Sequence, residues 1–361
     1  MSPIASERDH MTKALALASA HRPHPNPRVG AVVLSPEGRV VGEGAHRSAG
    51  LDHAEVVALA EAGERARGGT VVVTLEPCDH HGQTPPCTVA LIAAGVGRVV
   101  VGALDPDPRV SGQGAKRLRA AGIDVEIGLM ADEIELADPA YFHHRRTGRP
   151  RVTLKAAATL DGQTAAADGD SQWITGPEAR QDGHRLRAAS DAIMIGAGTL
   201  IADDPALDVR LDGYEGAQPR PIIVAGSRPL PGGAQIWGRG PIVVTTKDQG
   251  GPGEALVVPP GPDGLPDLEM TLSSLARMGL LDVLVEGGPS LAGALWQARL
   301  VDRGVFYLGG NVAGGLGRPV FASTWPTLAA ATPVEIIAVE QLGSDLKVTF
   351  LTHASSLRSH V

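Results

Sequence analysis

Glu76-Pro77-Cys78-Asp79-His80-His81-Gly82-Gln83-Thr84-Pro85-Pro86-Cys87, read with His53-Ala54-Glu55 upstream, decides how this chain folds and what it can hold. These are the only two cysteines among 361 residues. One histidine and two thiolates match zinc's preference for nitrogen and sulfur donors, and three protein ligands leave one tetrahedral position for water. Glu55 stands close enough to shuttle protons without binding the metal. Two other readings use the same residues. His80 or His81 as a fourth ligand would make the site structural, or Cys78 and Cys87 could form a disulfide. Two cysteines in so long a chain are no disulfide framework and suit a reducing compartment. His80 and His81 read better as loop residues lining the site.

Both segments should open helices. Proline is well placed at a helix start, so Pro85-Pro86 predicts a helix over 87–94. A second is expected over 53–67. Residues two apart do not share a helix face, so His53 and Glu55 converge only from the first turn. There side chains tilt toward the N-terminus, and the free amides favour thiolate and hydroxide. Outward from this pair, Met11, Leu15 and Ala18 predict a helix over 6–21. Ser35-Pro36-Glu37-Gly38 turns a hairpin between 31–34 and 39–42. Valine-rich strands follow over 70–75, 98–103 and 124–128, with a helix over 113–121 and one long helix over 131–146, where His143-His144-Arg145-Arg146 reads as a solvated or capping end. The order is that of an α/β layer fold.

Thr147-Gly148-Arg149-Pro150 is a natural hinge, which predicts domains over 1–147 and 148–361. After it, 151–155 reads as a strand ending in Lys155, a cation that either reaches solvent or faces a ligand. Two further strands run into glycine turns, Gly196-Ala197-Gly198-Thr199 and Gly287-Gly288-Pro289-Ser290. Glycine admits close backbone approach to phosphate and a helix start offers amides, so a nucleotide at these strand ends is expected, although neither turn is Gly-x-Gly-x-x-Gly. The stretches 204–205 and 250–266 read as loops, Gly309-Gly310 and 314–317 as another glycine-rich stretch, and 355–361 as a frayed tail. Hydrophobic residues at 43% provide real cores, while aromatics at 3% leave the packing to aliphatic side chains. A net charge of −8 argues against nucleic-acid binding. No membrane-spanning run or signal peptide is seen, so a soluble cytoplasmic protein is expected.

His-x-Glu followed by Pro-Cys is a zinc deaminase signature. His53-x-Glu55 and Pro77-Cys78 fit it, although Cys87 lies farther along than its Cys-x-x-Cys spacing. His53-Ala54-Glu55, Glu76-Pro77-Cys78, Thr84-Pro85-Pro86-Cys87, Asn26-Pro27-x-Val29-Gly30 and Gly44-Ala45-His46 resemble the deaminase half of the bifunctional riboflavin-biosynthesis deaminase/reductase family, where the long gap between cysteines is usual. Gln83 stands where many members carry a cation. Thr153-Leu154-Lys155-Ala156-Ala157-Ala158-x-Leu160-Asp161-Gly162, Gly169-Asp170-Ser171-x-Trp173-Ile174-Thr175, Gly196-x-Gly198-Thr199-x-x-x-Asp203-x-Pro205 and Val285-Glu286-Gly287-Gly288 resemble the reductase half, with Thr159 replacing a serine.

The resemblance implies a cytidine-deaminase-like three-layer α/β domain followed by a dihydrofolate-reductase-like domain. It implies zinc on His53, Cys78 and Cys87, with Glu55 catalytic and Asn26 and His46 on the pyrimidine. It implies NADPH against Ala157, Trp173, Thr199, Asp203, Gly288, Pro289, Ser290, Leu291, Ala292, Gly293 and Ala294. A phosphorylated pyrimidine substrate would meet Lys155, Ser171, Arg187, Leu207, Arg210 and Glu286. Lys155, Asp203 and Glu286 are its candidates to stabilise or protonate the imine that is reduced. A homodimer or tetramer is also implied. The competing readings are a deaminase of another base, which calls for a basic surface or missing second-half motifs, and a non-enzymatic zinc-stabilised module, in which Glu55 would be dispensable.

Overall fold

The computed structural model describes residues 3–82, 84–108, 110–226, 228–247, 250–322 and 327–352. Gln83 and the tail 355–361 lie outside them. The chain divides into two compact units, Met1–Gly148 and Arg149–Val361. Among the described residues no helix is long and apolar enough to cross a membrane.

The first unit runs α1 (Pro3–Ser19), β1 (Gly30–Leu34), β2 (Val40–Ala45), α2 (Ala54–Ala62), β3 (Thr70–Leu75), α3 (Cys87–Ala94), β4 (Arg98–Ala103), α4 (Gln113–Ala120), β5 (Asp124–Ile127), α5 (Ala131–Ala137) and α6 (Pro139–Thr147). Its sheet has the order β2-β1-β3-β4-β5. The hairpin β1–β2 pairs antiparallel to β3, while β3, β4 and β5 are parallel. Val71, Val72, Val73, Val99, Val100 and Val101 are fully buried, as expected of β-branched residues in central strands covered on both faces. Gly30 faces α1 and Gly44 faces α2, on opposite sides of the sheet. A Cβ on Gly30 would stand 1.9 Å from the Ala14 carbonyl oxygen, and one on Gly44 2.2 Å from that of Ala54. Glycine here lets each helix lie directly on the strands. With α5 against α1, and α3 and α4 following α2, the unit is three layers.

Two expectations change. The helix over 53–67 ends at Ala62, because Gly63 turns to φ 55, and the chain continues as a 3-10 turn. The helix over 131–146 is two helices broken at Asp138, since the ring of Pro139 disfavours helical geometry at the residue before it. The break has a use. Asp138, freed from the helix, accepts the Arg28 backbone N–H at 2.8 Å and pairs with His24 at 3.0 Å, tying down the loop that bears Asn26.

The second unit runs β6 (Arg151–Thr159), β7 (Gln163–Ala165), α7 (Pro177–Ala188), β8 (Ala192–Gly196), α8 (Ala197–Asp203), β9 (Arg220–Val224), β10 (Ile242–Thr245), β11 (Glu254–Val257), α9 (Leu268–Arg277), β12 (Asp282–Val285), α10 (Pro289–Gln297), β13 (Arg303–Gly309), β14 (Arg318–Pro319), β15 (Glu335–Leu342) and β16 (Asp345–Leu351). The main sheet has the order β11-β10-β9-β8-β12-β6-β13-β16-β15. It is parallel from β11 to β13 and antiparallel through β16 and β15.

Alternation along the strands splits the core. Val152, Leu154, Met194, Val283 and Val285 join Leu272, Leu275 and Leu295 of α9 and α10 in one cluster, and Ile193, Ile195 and Leu284 form another with Leu186 of α7. The period of two therefore places Thr153, Lys155 and Ala157 on the α7 side. Three expectations are corrected. Lys155 is not at a strand end, because Ala156, Ala157 and Ala158 continue β6 along β13 to Thr159, past the last β12 pair at Leu154. Gly198 and Thr199 are not in a turn but in the first turns of α8, for which Gly196 is the N-cap. The stretch over 250–266 contains β11, which completes the parallel edge.

Candidate functional site

His53 is the N-cap of α2 and Cys87 the first residue of α3, while Cys78 follows the end of β3. The Cys78 loop is held from both sides. The Glu76 carboxylate accepts the backbone N–H groups of Gly112 at 2.8 Å and Ala115 at 3.1 Å, and a Cβ on Gly114 would stand 1.9 Å from the Pro77 carbonyl oxygen. Thr88 and Arg117 donate to Asp79 at 2.6 and 2.7 Å.

The ligand atoms of His53, Cys78 and Cys87 lie within 4.8 Å of one another, and no fourth His, Cys, Asp or Glu joins them among the described residues. His80 and His81 are exposed, and both cysteines are free thiols. His53 Nδ1 faces Cys87 Sγ at 3.2 Å and Cys78 Sγ at 3.5 Å, and the Cys87 N–H points at Cys78 Sγ at 3.4 Å. The hydrogen bond from Cys87, helped by His53, holds the Cys78 thiol down to about 4, against its burial. The same bond and burial push Cys87 up. Two thiols thus compete for one proton beside an imidazole, a donor set that fits a divalent cation able to displace that proton.

Glu55, in the first turn of α2, is 3% exposed. Burial, then the Cys78 thiolate, pushes its carboxyl up to about 7. A carboxyl poised there can take and return a proton near neutral pH. The ring of His46 stands 5.0 Å from that of His53, centroid to centroid. His46 Nε2 bonds Asn26 Nδ2 at 2.9 Å and Nδ1 meets the Asp52 carbonyl at 3.2 Å. Thr84, 3.5 Å from His53 Nε2, is a neighbour that spacing alone did not single out.

The second unit gathers Lys155, Arg187 and Glu286. Arg187 donates Nε and Nη2 to the two Glu286 oxygens at 2.7 and 2.9 Å, and Nη1 to the Asp208 carbonyl at 2.9 Å. Lys155 Nζ lies 3.8 Å from Glu286. Burial opposes the ionised carboxylate, but Lys155 and Arg187 outweigh it and hold Glu286 at about 2. At the neighbouring strand ends the two helix starts meet, where Thr199 Oγ1 accepts the Gly288 N–H at 3.2 Å and a Cβ on Gly288 would stand 3.4 Å from that oxygen. This narrow cradle opens on Pro289 and the exposed Ser290.

The remaining expected residues are less tightly grouped. Leu291, Ala292 and Gly293 are buried, with Leu291 and Ala292 in the core and Ala294 half-buried, so a ligand would reach the first turn of α10 before their side chains. Leu207, at φ 52, is 2% exposed with its side chain in the core, which leaves its backbone for any ligand. Arg210 is exposed, pairs with Asp208 at 2.5 Å, and donates its backbone N–H to His184. Asp203 closes α8 with Arg318 as a charged neighbour. Ser171 and Trp173 lie on the loop before α7, where Arg180 stacks on Trp173 at 4.4 Å. Ala157 is half-buried on β6.

Comparison with known proteins agrees with both units. Residues 150–348 match the RibD C-terminal domain, and residues 5–103 match the cytidine and deoxycytidylate deaminase zinc-binding region. The riboflavin biosynthesis protein RibD of Escherichia coli is 45% identical over 84% of this chain and 88% of its own. That of Mycobacterium tuberculosis is 41% identical over 91% of each. The structure of Acinetobacter baumannii RibD superposes with a TM-score of 0.89 at 36% identity, covering 98% of this chain and all of that one (100%). A Thermotoga maritima diaminohydroxyphosphoribosylaminopyrimidine deaminase/5-amino-6-(5-phosphoribosylamino)uracil reductase gives 0.83 at 32% identity, covering 98% and 100%. A zinc-type deaminase unit and a reductase unit in one chain, matched over nearly its whole length, place this protein in the RibD family of bifunctional riboflavin-biosynthesis deaminase/reductases.

Proposed function

We propose that the first unit removes the amino group of 2,5-diamino-6-ribosylamino-4(3H)-pyrimidinone 5′-phosphate by hydrolysis, and that the second reduces the ribosyl chain of the product with NADPH, giving 5-amino-6-ribitylaminouracil 5′-phosphate. The observation that carries the first step is the three-donor cluster with a buried carboxyl beside it. His53, Cys78 and Cys87 would hold zinc, which lowers the pKa of water to about 7. Glu55 takes the proton from the attacking water and returns it to the ring and the departing amine. Asn26, oriented by His46, holds the polar edge of the pyrimidine.

In the second unit the cradle of Thr199, Gly288 and the α10 start suits a phosphate of the cofactor. NADPH supplies the hydride. The chain's own task is to open the ribosylamine to an imine and to manage its proton. Lys155, whose ammonium lies 3.8 Å from Glu286, would donate it.

The purified enzyme with the diaminopyrimidine phosphate should release ammonia without NADPH and oxidise NADPH only after ammonia appears. Glu55→Gln should lower ammonia release by on the order of 10³-fold, keep its zinc, and still reduce the deaminated pyrimidine. Retained ammonia release in that variant would remove Glu55 from the reaction.

A further inference from the structure

Helix α7 lies on the sheet face that carries Lys155, and its buried stripe is interrupted by a charge. Ala179 and Leu186 pack with Val305 and Tyr307. Between them Asp182 is 8% exposed. Its Oδ2 accepts the Tyr307 hydroxyl at 2.7 Å and Lys347 Nζ at 2.9 Å, and Arg185 stands 3.7 Å from Oδ1. Tyr307 and Lys347 are directly opposite in the β13–β16 ladder. Glu340, opposite Lys347 on β15, lies 3.3 Å from its ammonium. A row across three strands thus meets one carboxylate on the helix.

Such a pair is a weak source of stability, because desolvation offsets its attraction; its best-attested use is to fix register. An apolar residue at 182 would let α7 slide or roll on Tyr307, whereas a carboxylate that needs both donors admits one position. Five residues on, the same helix carries Arg187, whose two-pronged contact with Glu286 tolerates little displacement. Tyr307 pairs with Ala157 and Val305 with Lys155, so the anchor and Lys155 share neighbouring rows of one sheet face.

We propose that Asp182 is a positioning residue of the reductase: by gripping Tyr307 and Lys347 it holds α7 in the register in which Arg187 keeps Glu286 against Lys155. This rests on the assignment of the reductase site to Lys155, Arg187 and Glu286.

Asp182→Asn and Tyr307→Phe test it with little change of volume. Reduction of the deaminated pyrimidine should lose about 10-fold in kcat with the KM for NADPH unchanged, as expected for a small misplacement of reacting groups. The acid limb of the reductase pH profile should move to higher pH, because Glu286 loses part of the charge of Arg187. The groups facing Glu286 are Lys155 from β6, Arg187 and His184 from α7, and Tyr307 from β13. Neither variant removes Lys155, Arg187 or His184. Lys347→Arg, which keeps a donor for Asp182, should retain near wild-type rates, and ammonia release should be unchanged throughout. Unaltered kcat and pH profile in both variants, whatever their melting temperatures, would overturn the proposal. Glu286→Gln separates the two failures. If it loses reduction while Asp182→Asn and Tyr307→Phe do not, the positioning role alone falls; if it too reduces normally, the site assignment falls first.

Discussion

In the first unit, Cys78 and Cys87 divide one proton beside His53, a donor set that suits an ion from outside the chain. In the second, the buried Glu286 is met by Arg187 and Lys155, both from the chain itself. The two sites face the same physical demand, anionic groups out of water, and answer it in opposite ways. The first is left for an ion to finish, so its chemistry depends on what it binds. The second is finished on folding, so its geometry depends on packing.

The sharpest way to break this contrast is to withdraw metal. A chelator that strips zinc should abolish ammonia release while the same sample goes on reducing the deaminated pyrimidine at its former rate. Reduction that fails together with deamination would mean that the second site is not self-sufficient.

Acid should produce the next largest effect, and in the other unit. Glu286 is held at about 2 against an ordinary 4.5. A depressed carboxylate stabilises the fold above its unfolded pKa and loses that contribution as pH falls through the folded value. Wild type should therefore exceed Glu286→Gln by about 3 kcal/mol in the unfolding of the second unit above pH 4.5. The gap should close toward pH 2. A gap independent of pH would show that the pair is not ionic.

The smallest effect is expected at the rim. Arg210 is exposed and bound mainly to Asp208. Arg210→Ala should change stability by less than about 0.5 kcal/mol. It should raise the KM of the reductase for its pyrimidine several-fold and spare deamination. An unchanged KM would remove Arg210 from the substrate site.

The same contrast explains what could be read from the chain. The first site is written in rare residues at short range: two cysteines, a His-x-Glu and prolines that start helices, so Cys78, Cys87, His53 and Glu55 converge as expected. The second draws Lys155, Arg187 and Glu286 from segments far apart, and no local pattern announces a salt bridge between them. The alanines after Lys155 carry no periodic signal; it is pairing with β13 alone that keeps Ala156, Ala157 and Ala158 extended. Asp182 offered no signal either, since its partners Tyr307 and Lys347 are long-range. The break at Pro139 was legible from the proline rule, yet the helical pattern on both sides hid it.

The central claim is that the first unit holds a catalytic ion through three side chains with one position left for water. X-ray absorption at the zinc edge of the fully active enzyme tests it most directly. The account predicts one zinc per chain bound by two sulfurs, one nitrogen and one oxygen from solvent. A fourth protein ligand, or full ammonia release from protein without metal, would contradict it.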